Sequence, residues 1–389
     1  MSRIQTLGLD FSKPTATLAP SKTISLDTFN SYNFDRNILT PASAFRFTAP
    51  GVDADDRQAI RSGDIVSLWI LNDNKIKIPV AVGIIDETDT HEISNAIEYV
   101  LTGRDLLGQL VDNTAVDKNN KIIHLENATL QTIISLMIAN TRIPQGITPQ
   151  QLPNGTFLFQ TNPGETKINA IQRYLDLANC LIWALPSGQI CAGKPNFTRV
   201  ISGTISNASS SLCNYLEARV KRNVNQVIRQ IVYQLQTLDL VSPTPYTKTN
   251  TDKDISPLIN GGVGRSVWNH FSYGQGADTV NLLKSVGNQS GSPAGIGNEL
   301  CLRDIARDNM KILDVELVVK GHLNTNNTIY NIDQIYNVQI PSDDVDEDLY
   351  VYGCSYELTM DHGMITRLRL CRLGSIVANT DATPRSVAI

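Results

Sequence analysis

The sequence predicts a mainly β protein: two similar β-barrel domains in one chain, with an α+β insertion between them. Three observations predict it. Near the C-terminus, apolar residues recur at every second position, in Val315, Leu317 and Val319, in Tyr356, Leu358 and Met360, and in Met364, Leu368 and Leu370. A period of two buries one face of a strand and wets the other, which is antiparallel sheet. The last two of these runs are joined by Asp361-His362-Gly363, a hairpin signal in which Gly is free to take positive φ. The same texture appears much earlier, in DIVSLWIL (Asp64 to Leu71), and the two regions are separated by segments of helical spacing.

Taken in order, residues 1–20 read as an N-terminal arm, poorly structured or held by a partner. The first β-barrel is expected over 21–114. SKTISLDTF and ASAFRFTAP open it, Asp64 to Leu71 is a strong strand closed by the turn Asn72-Asp73-Asn74, and Lys75 to Asp86 pairs next. His91 to Thr102 runs back as an alternating strand through Ile93, Ile97, Tyr99 and Leu101, and Gly103-Arg104-Asp105 then turns into a short apolar segment.

The α+β unit is expected over 115–197. In Glu126 to Asn140, Leu130, Ile133, Ile134, Met137 and Ile138 share one helical face, with Asn127 or Thr129 placed to cap it. A second helix from Thr166 to Asn179 carries Ile168, Ile171, Leu175 and Ala178 on one face, and a hairpin follows, turning at Pro186-Ser187-Gly188. The second barrel begins over 198–241, with strands in Ser211 to Asn223 and Gln226 to Leu238. Residues 242–298 form a long insertion rich in Gly, Ser, Pro and Asn, with Trp268, Phe271 and Tyr273 embedded; loops of such length are functional or disordered, and the aromatics suggest docking. The helix Glu299 to Lys311 and four strands complete the barrel over 299–375, and 376–389 is a polar tail.

Composition limits the function. At 389 residues, 41% apolar and 18% charged, the chain has enough material for two to four cores. A net charge of −5 gives no general reason to expect nucleic-acid binding. No apolar run approaches the ~20 residues of a membrane helix, so no membrane span is expected. The N-terminus lacks a signal peptide's hydrophobic stretch, which implies synthesis in the cytoplasm. Six cysteines are scattered singly, without the pairing of a disulfide framework or a zinc site. Six N-x-[ST] triplets read as polar loop residues.

Residues able to carry catalytic or ligand-binding chemistry are present but do not form a motif. His91, His124, His270, His322 and His362 are isolated, with no H-x-x-H pair. Asp344, Asp346 and Asp348 have calcium-loop spacing, but Leu349 stands where that loop needs Gly and Ser355 where it needs Glu, so a solvated acidic loop is the better reading. Glu87, Asp89, Glu92, Glu98 and Asp105 supply the carboxylates a glycosidase would need, yet exposed strand carboxylates are ordinary. No phosphate-cradling loop or nucleophile elbow occurs. Arg219, Lys221, Arg222 and Arg229, with Arg367, Arg369 and Arg372, form one basic concentration, either a wet sheet face or a surface for an acidic partner or DNA. No catalytic, cofactor-binding or metal residue is assigned.

The two β regions also overlay. SGDIVSLWIL and the strand ending LTGRD match NIDQIYNVQIP, YVYGCSYELTM and MITRLRLCR in order, which suggests an internal duplication. In this series the chain resembles the baseplate hub family of contractile phage tails: the Mu-type tail hub, late control protein D and the N-terminal region of VgrG spikes. The resemblance runs from about residue 20 to 375, through TGRD (102–105), TKINAIQRYLDLANCLIWALPSGQ, EARVKRNVNQVIRQIVYQ, LRDIARDNMKILDVELVVKGH and the final hairpin. It implies a homotrimer whose six barrels form a pseudo-sixfold ring, an adapter between a hexameric tail tube and a trimeric spike. The implied partners are tube-initiator or tube ring proteins, the spike, other baseplate proteins, and tape-measure protein or DNA in the lumen. No cofactor is implied, and the place is the virion tail baseplate, after synthesis in the host bacterium. The chain departs from the family in its long 242–298 insertion and in lacking an appended spike or lysozyme domain. Competing readings are a tail-associated peptidoglycan hydrolase and a receptor- or carbohydrate-binding tail module using Trp268 to Tyr273.

Overall fold

The structure is a computed structural model. It describes residues 7–12, 24–72, 75–93, 96–150, 152, 155–195, 197, 200–207, 214–224, 227–236, 245–249, 265–272, 293–359 and 361–376. Of the aromatics expected to dock in the 242–298 insertion, Trp268 and Phe271 lie on a described strand, while Tyr273 and the tail beyond 376 lie outside those residues.

The protein is mainly β. In chain order come β1 (Leu7–Ser12), β2 (Ile24–Leu26), β3 (Ser31–Asn37), β4 (Ala44–Pro50), α1 (Ala54–Ala59), β5 (Ile65–Leu71), β6 (Lys77–Ile93), β7 (Ala96–Asp105) and α2 (Gly108–Asp112). The central part holds β8 (His124–Thr129), α3 (Leu130–Ile138), β9 (Ile147–Gln150), β10 (Thr156–Gln160), α4 (Lys167–Leu177), β11 (Leu181–Ala184) and β12 (Ile190–Gly193). Then follow β13 (Thr204–Ser206), β14 (Tyr215–Lys221), β15 (Ile228–Gln236), β16 (Pro245–Thr249), β17 (Arg265–Ser272), α5 (Pro293–Asn309), β18 (Asp314–Lys320), β19 (Ile335–Ile340), β20 (Val345–Thr359) and β21 (Gly363–Arg372).

The expected barrels are not closed. One sheet of 13 strands runs β14-β18-β21-β20-β3-β4-β7-β6-β5-β1-β2, with β19 and β13 joined beside β20. Its ends do not meet. The two β regions are continuous because β3, from the first, pairs with β20, from the second, from Gly353 opposite Asn37 to Leu358 opposite Tyr32. Closure depends on pairings distant in sequence, which local periodicity does not encode.

Three local expectations change as well. The N-terminal arm contains β1, which pairs with β5 and buries Leu7, Leu9 and Phe11; period two was present in LGLDF. The hairpin expected between Asp86 and His91 lies further on, with Ile93 opposite Ala96. Thr102 to Asp105 finish β7 rather than turning, and Gly103 is required there, since a Cβ would sit 2.3 Å from the Phe45 ring and 2.2 Å from the Ile84 carbonyl. The 242–298 insertion contributes β16 and β17, which flank β15, and the first turns of α5.

The two strand sets share one pairing order. In the first, β5, β6 and β7 are consecutive antiparallel neighbours, β4 lies on the far side of β7, and β3 beside β4. In the second, β19, β20 and β21 are consecutive, β18 lies beyond β21, and β14 beside β18. Details repeat too. The register shifts once within each long hairpin, at Asp86 on β6 and Tyr352 on β20. On β4 and on β18 the second, fourth, fifth and sixth residues are the buried ones. After each of these strands comes a glycine with positive φ, Gly51 or Gly321, whose N–H donates to Ile97 or Met364. Before β5 and β19, Gly63 and Asp333 take positive φ and donate to Ile85 and Val351.

The α+β unit packs a second core. Thr129 and Thr166 cap α3 and α4 by accepting from the N–H groups of Thr132 and Asn169, as N-cap threonines do. Hairpin β11–β12 is the wall between the two cores. Leu181, Trp183 and Cys191 face the core under the large sheet, while Ile182, Ala184, Ile190 and Ala192 face the core of α3, α4 and α5. Both faces of this hairpin are buried, so it reads as a continuous apolar run rather than an alternation.

Candidate assembly surface

The expected chemical candidates do not converge. His91 lies exposed on β6, His124 exposed on β8 and His362 exposed in the last hairpin turn. Among the described residues no group of three His, Cys, Asp or Glu side chains is placed to hold a metal. Asp344 ends a short 3-10 turn in the left-handed conformation, while Asp346 and Asp348 are already on β20, paired with Gln339 and Asn337. They are strand residues rather than a loop. Asp105 is buried and structural: its carboxylate accepts from the N–H of Ser43 at 2.9 Å and of Leu107 at 3.0 Å, and burial raises its pKa. Its neighbour Arg104 ties Asp86 at the β6 bulge to Asp112 on α2, at 2.7 and 2.6 Å, and holds the Asp112 carboxyl below its usual range.

Two buried polar nodes tie the core, one joining the sheet to the α+β unit and one joining the two strand sets of the sheet. Arg36, only 2% exposed, projects from β3 into the core. It donates to the Val80 carbonyl at 3.3 Å, to Asn331 Oδ1 at 2.6 Å and to the Ala184 carbonyl on β11 at 2.6 Å. It thereby joins β3, β6, the segment before β19 and the dividing hairpin. His322 is fully buried between Tyr32 on β3 and Thr366 on β21. The Thr366 hydroxyl donates to the Gly321 carbonyl at 2.7 Å, so it accepts from His322 Nδ1–H at 2.8 Å, and Nε2 accepts from the Tyr32 hydroxyl at 2.6 Å. Burial holds this imidazole neutral, with its pKa lowered to about 3. β3 was absent from the expected strands for this reason: Tyr32, Phe34 and Arg36 are its buried residues, and a charged residue in third place breaks the apolar period.

The basic concentration is largely paired within the chain. Arg367 meets Glu357 at 2.9 Å, Arg372 meets Glu347 at 3.2 Å, and Arg369 bonds Asp35. Arg229 donates to the Ser266 hydroxyl and Arg222 to the Asp343 carbonyl. Such a face is wet and neutralised, which favours the plain reading over a DNA surface. What stays exposed lies on two strand edges. Among the described residues β14 pairs only with β18, and it presents Glu217, Arg219 and Lys221 exposed, with Leu216 bulged and 59% exposed. The second half of β6 presents Glu87, Asp89, His91 and Glu92 exposed. A cleft of about 390 Å³ between the β3–β4 connection, α4 and α5 is lined by Ile38, Leu39, Leu175 and Met310, with the Asp176–Arg307 pair on it. Among the described residues that salt bridge is its one charged pair, and no histidine lines it.

No family model matches the chain, and no curated protein matches it. Solved structures do. A tail protein from Neisseria meningitidis MC58 is similar over 96% of this chain and 98% of its own, with a TM-score of 0.73 and 17% identity. The 43 kDa tail protein of prophage MuSo2 from Shewanella oneidensis is similar over 95% of this chain and 98% of its own, with a TM-score of 0.71 and 15% identity. The fold is that of phage tail proteins. It extends to the E. coli c3393 protein, a type VI secretion component described as similar to T4 tail proteins gp27 and gp5, at a TM-score of 0.53, 8% identity, and coverage of 91% of this chain and 76% of its own. The fold is thus shared by phage tail proteins and a type VI secretion component.

Proposed function

We propose that this chain is a structural hub of a phage tail or tail-like particle, a homotrimer that adapts a sixfold tube to a threefold spike. The observation that carries the proposal is the shared pairing order of the two strand sets, with its matching bulges, buried positions and positive-φ turns. That match supports an internal duplication, and three duplicated chains about one axis present six like units. Residues 115–197 are then an insertion carried outside the ring. The tube ring, a separate spike chain and other baseplate proteins are the partners, and the particle's tail is its place. The scattered histidines and the structural role of Asp105 favour assembly over hydrolysis.

Light scattering on the purified chain tests the trimer, and electron microscopy of the chain mixed with tube and spike proteins tests the adapter. A mass of three copies with density on the particle axis is expected. A lone copy away from that axis overturns the proposal, and clearing of peptidoglycan in a zymogram favours the hydrolase instead.

A further inference from the structure

The repeated pairing order leaves two strand edges open, and they match each other. β20 carries β21 along one edge; its other edge is shared by β19, over Val345 to Tyr350, and β3, over Gly353 to Leu358. Its counterpart β6 carries β7 along one edge and β5, over Lys77 to Ile84, along the other. From Glu87 to Glu92 that second edge has no strand partner among the described residues. β14, the counterpart of β3, pairs among the described residues only through the edge facing β18. Within the chain, the place open on β6 is the place that β3 fills on β20.

We propose that β14 of one copy pairs antiparallel with Glu87 to Glu92 of β6 in the next copy, as β3 pairs with β20 inside each chain. The proposal rests on the ring reading above and names its seam. The register follows from the two bulges. Asp35 lies opposite Ala44 and Ser355, and Lys221 lies opposite Asp314, which takes the place of Ala44. Counting from the bulged residues Asp86 and Tyr352, Asp89 takes the place of Ser355. Lys221 therefore stands opposite the neighbour's Asp89, Val220 opposite Thr90, and Arg219 opposite His91.

The charges agree with that register at Lys221, which lies 3.9 Å from Asp314 in its own chain and would face Asp89 of the next. The β6 edge is acidic through Glu87, Asp89 and Glu92, while β14 and its end are basic through Arg219, Lys221 and Arg222. Directly opposed unlike charges stabilise a strand pair and like charges destabilise it. Ala218 and Val220 are half-buried against the main core, so the neighbour's strand continues a packed face as well as a ladder. The contact is head to tail, which a threefold axis closes into a ring, and closure removes both exposed edges.

The test is chemical and uses the full chain. Asp89→Cys with Lys221→Cys is expected to yield disulfide-linked multimers on oxidation, while Asp89→Cys with Glu217→Cys, out of register, does not. Cys180, Cys191, Cys301, Cys354 and Cys371 are buried, and Cys213→Ser in both variants removes the sixth cysteine, which keeps the background low. Lys221→Asp or Asp89→Lys alone is expected to weaken the trimer about tenfold or more, and the exchanged pair together to recover most of that loss. Circular dichroism checks that each variant is folded. A trimer that keeps its affinity in both single variants and gives no 89–221 cross-link overturns this seam and leaves the ring reading standing. Cross-linking in an assembly of another size keeps the seam and overturns the threefold ring. A native chain monomeric at low salt and high concentration overturns both.

Discussion

Arg36 shows what one residue can fix. Its guanidinium holds Val80, Ala184 and Asn331 at 2.6 to 3.3 Å, while its Nε has no hydrogen-bond partner. Arg36→Met fills much of the space but takes the guanidinium donor from the buried Val80 and Ala184 carbonyls and from Asn331 Oδ1, which still accepts from the Ile332 N–H at 2.8 Å, at about 1–3 kcal/mol for each buried acceptor left unpaired. The expected loss is about 2–5 kcal/mol, read as a lower denaturation midpoint at unchanged slope. His322 makes a different prediction. Its folded pKa of about 3 lies below the ordinary 6.5, so the unfolded chain takes up a proton first as pH falls. Stability therefore declines below pH ~6.5, by up to about 1.4 kcal/mol per unit, until the folded imidazole also titrates near 3. Urea unfolding between pH 7 and 4 should show this slope, and His322→Gln should remove it; equal slopes in the two chains would mean that the imidazole is not buried and neutral.

At the scale of elements, the β11–β12 hairpin governs how the two cores depend on each other. Trp183 is 3% exposed toward the sheet core, while Ile182 and Ala184 face the helical one. Trp183→Ala is expected to cost about 3–5 kcal/mol and to lower the unfolding midpoint of both cores together. Tyrosine fluorescence and far-UV circular dichroism should report coincident transitions; separate ones would mean that the hairpin does not couple them. This hairpin, its turn at Gly188, helices α3 and α4, and the four C-terminal strands were all legible in the sequence, because each signal is local: a threonine cap, a 3.6 or 2 period, a glycine with φ of 80°. β3 was not legible, since its third inward residue is Arg36 and its neighbours are Asn33, Asp35 and Asn37. Nor were the short strands β9 and β13, which are parallel additions to strands far away in sequence. The basic and acidic runs were visible as composition, but only the pairing order shows that they occupy corresponding open edges.

For the whole molecule, the proposed ring has two alternating kinds of seam. The seam inside each chain, β3 on β20, has an apolar buried face: Phe34 stacks on Tyr356 with ring centroids 5.9 Å apart, and Tyr32 adds its hydrogen bond to His322. Salt screens such contacts little. The proposed seam between chains has Val220 and Thr90 at its centre and acidic and basic residues along its wet face. Exposed charges are screened over about 10 Å at 0.1 M salt and about 3 Å at 1 M. Raising sodium chloride from about 0.05 to 1 M should therefore loosen the ring, with the dissociation constant rising about tenfold or more, while each chain stays folded. Sedimentation should show mass shifting toward the monomer with far-UV circular dichroism unchanged. Lys221→Asp, which already opposes like charges across the seam, should instead assemble more tightly as salt rises, because screening then relieves repulsion. That reversal of sign is the sharper reading: a ring held by apolar contacts alone would tighten in both chains, and one joined through other edges would not distinguish them.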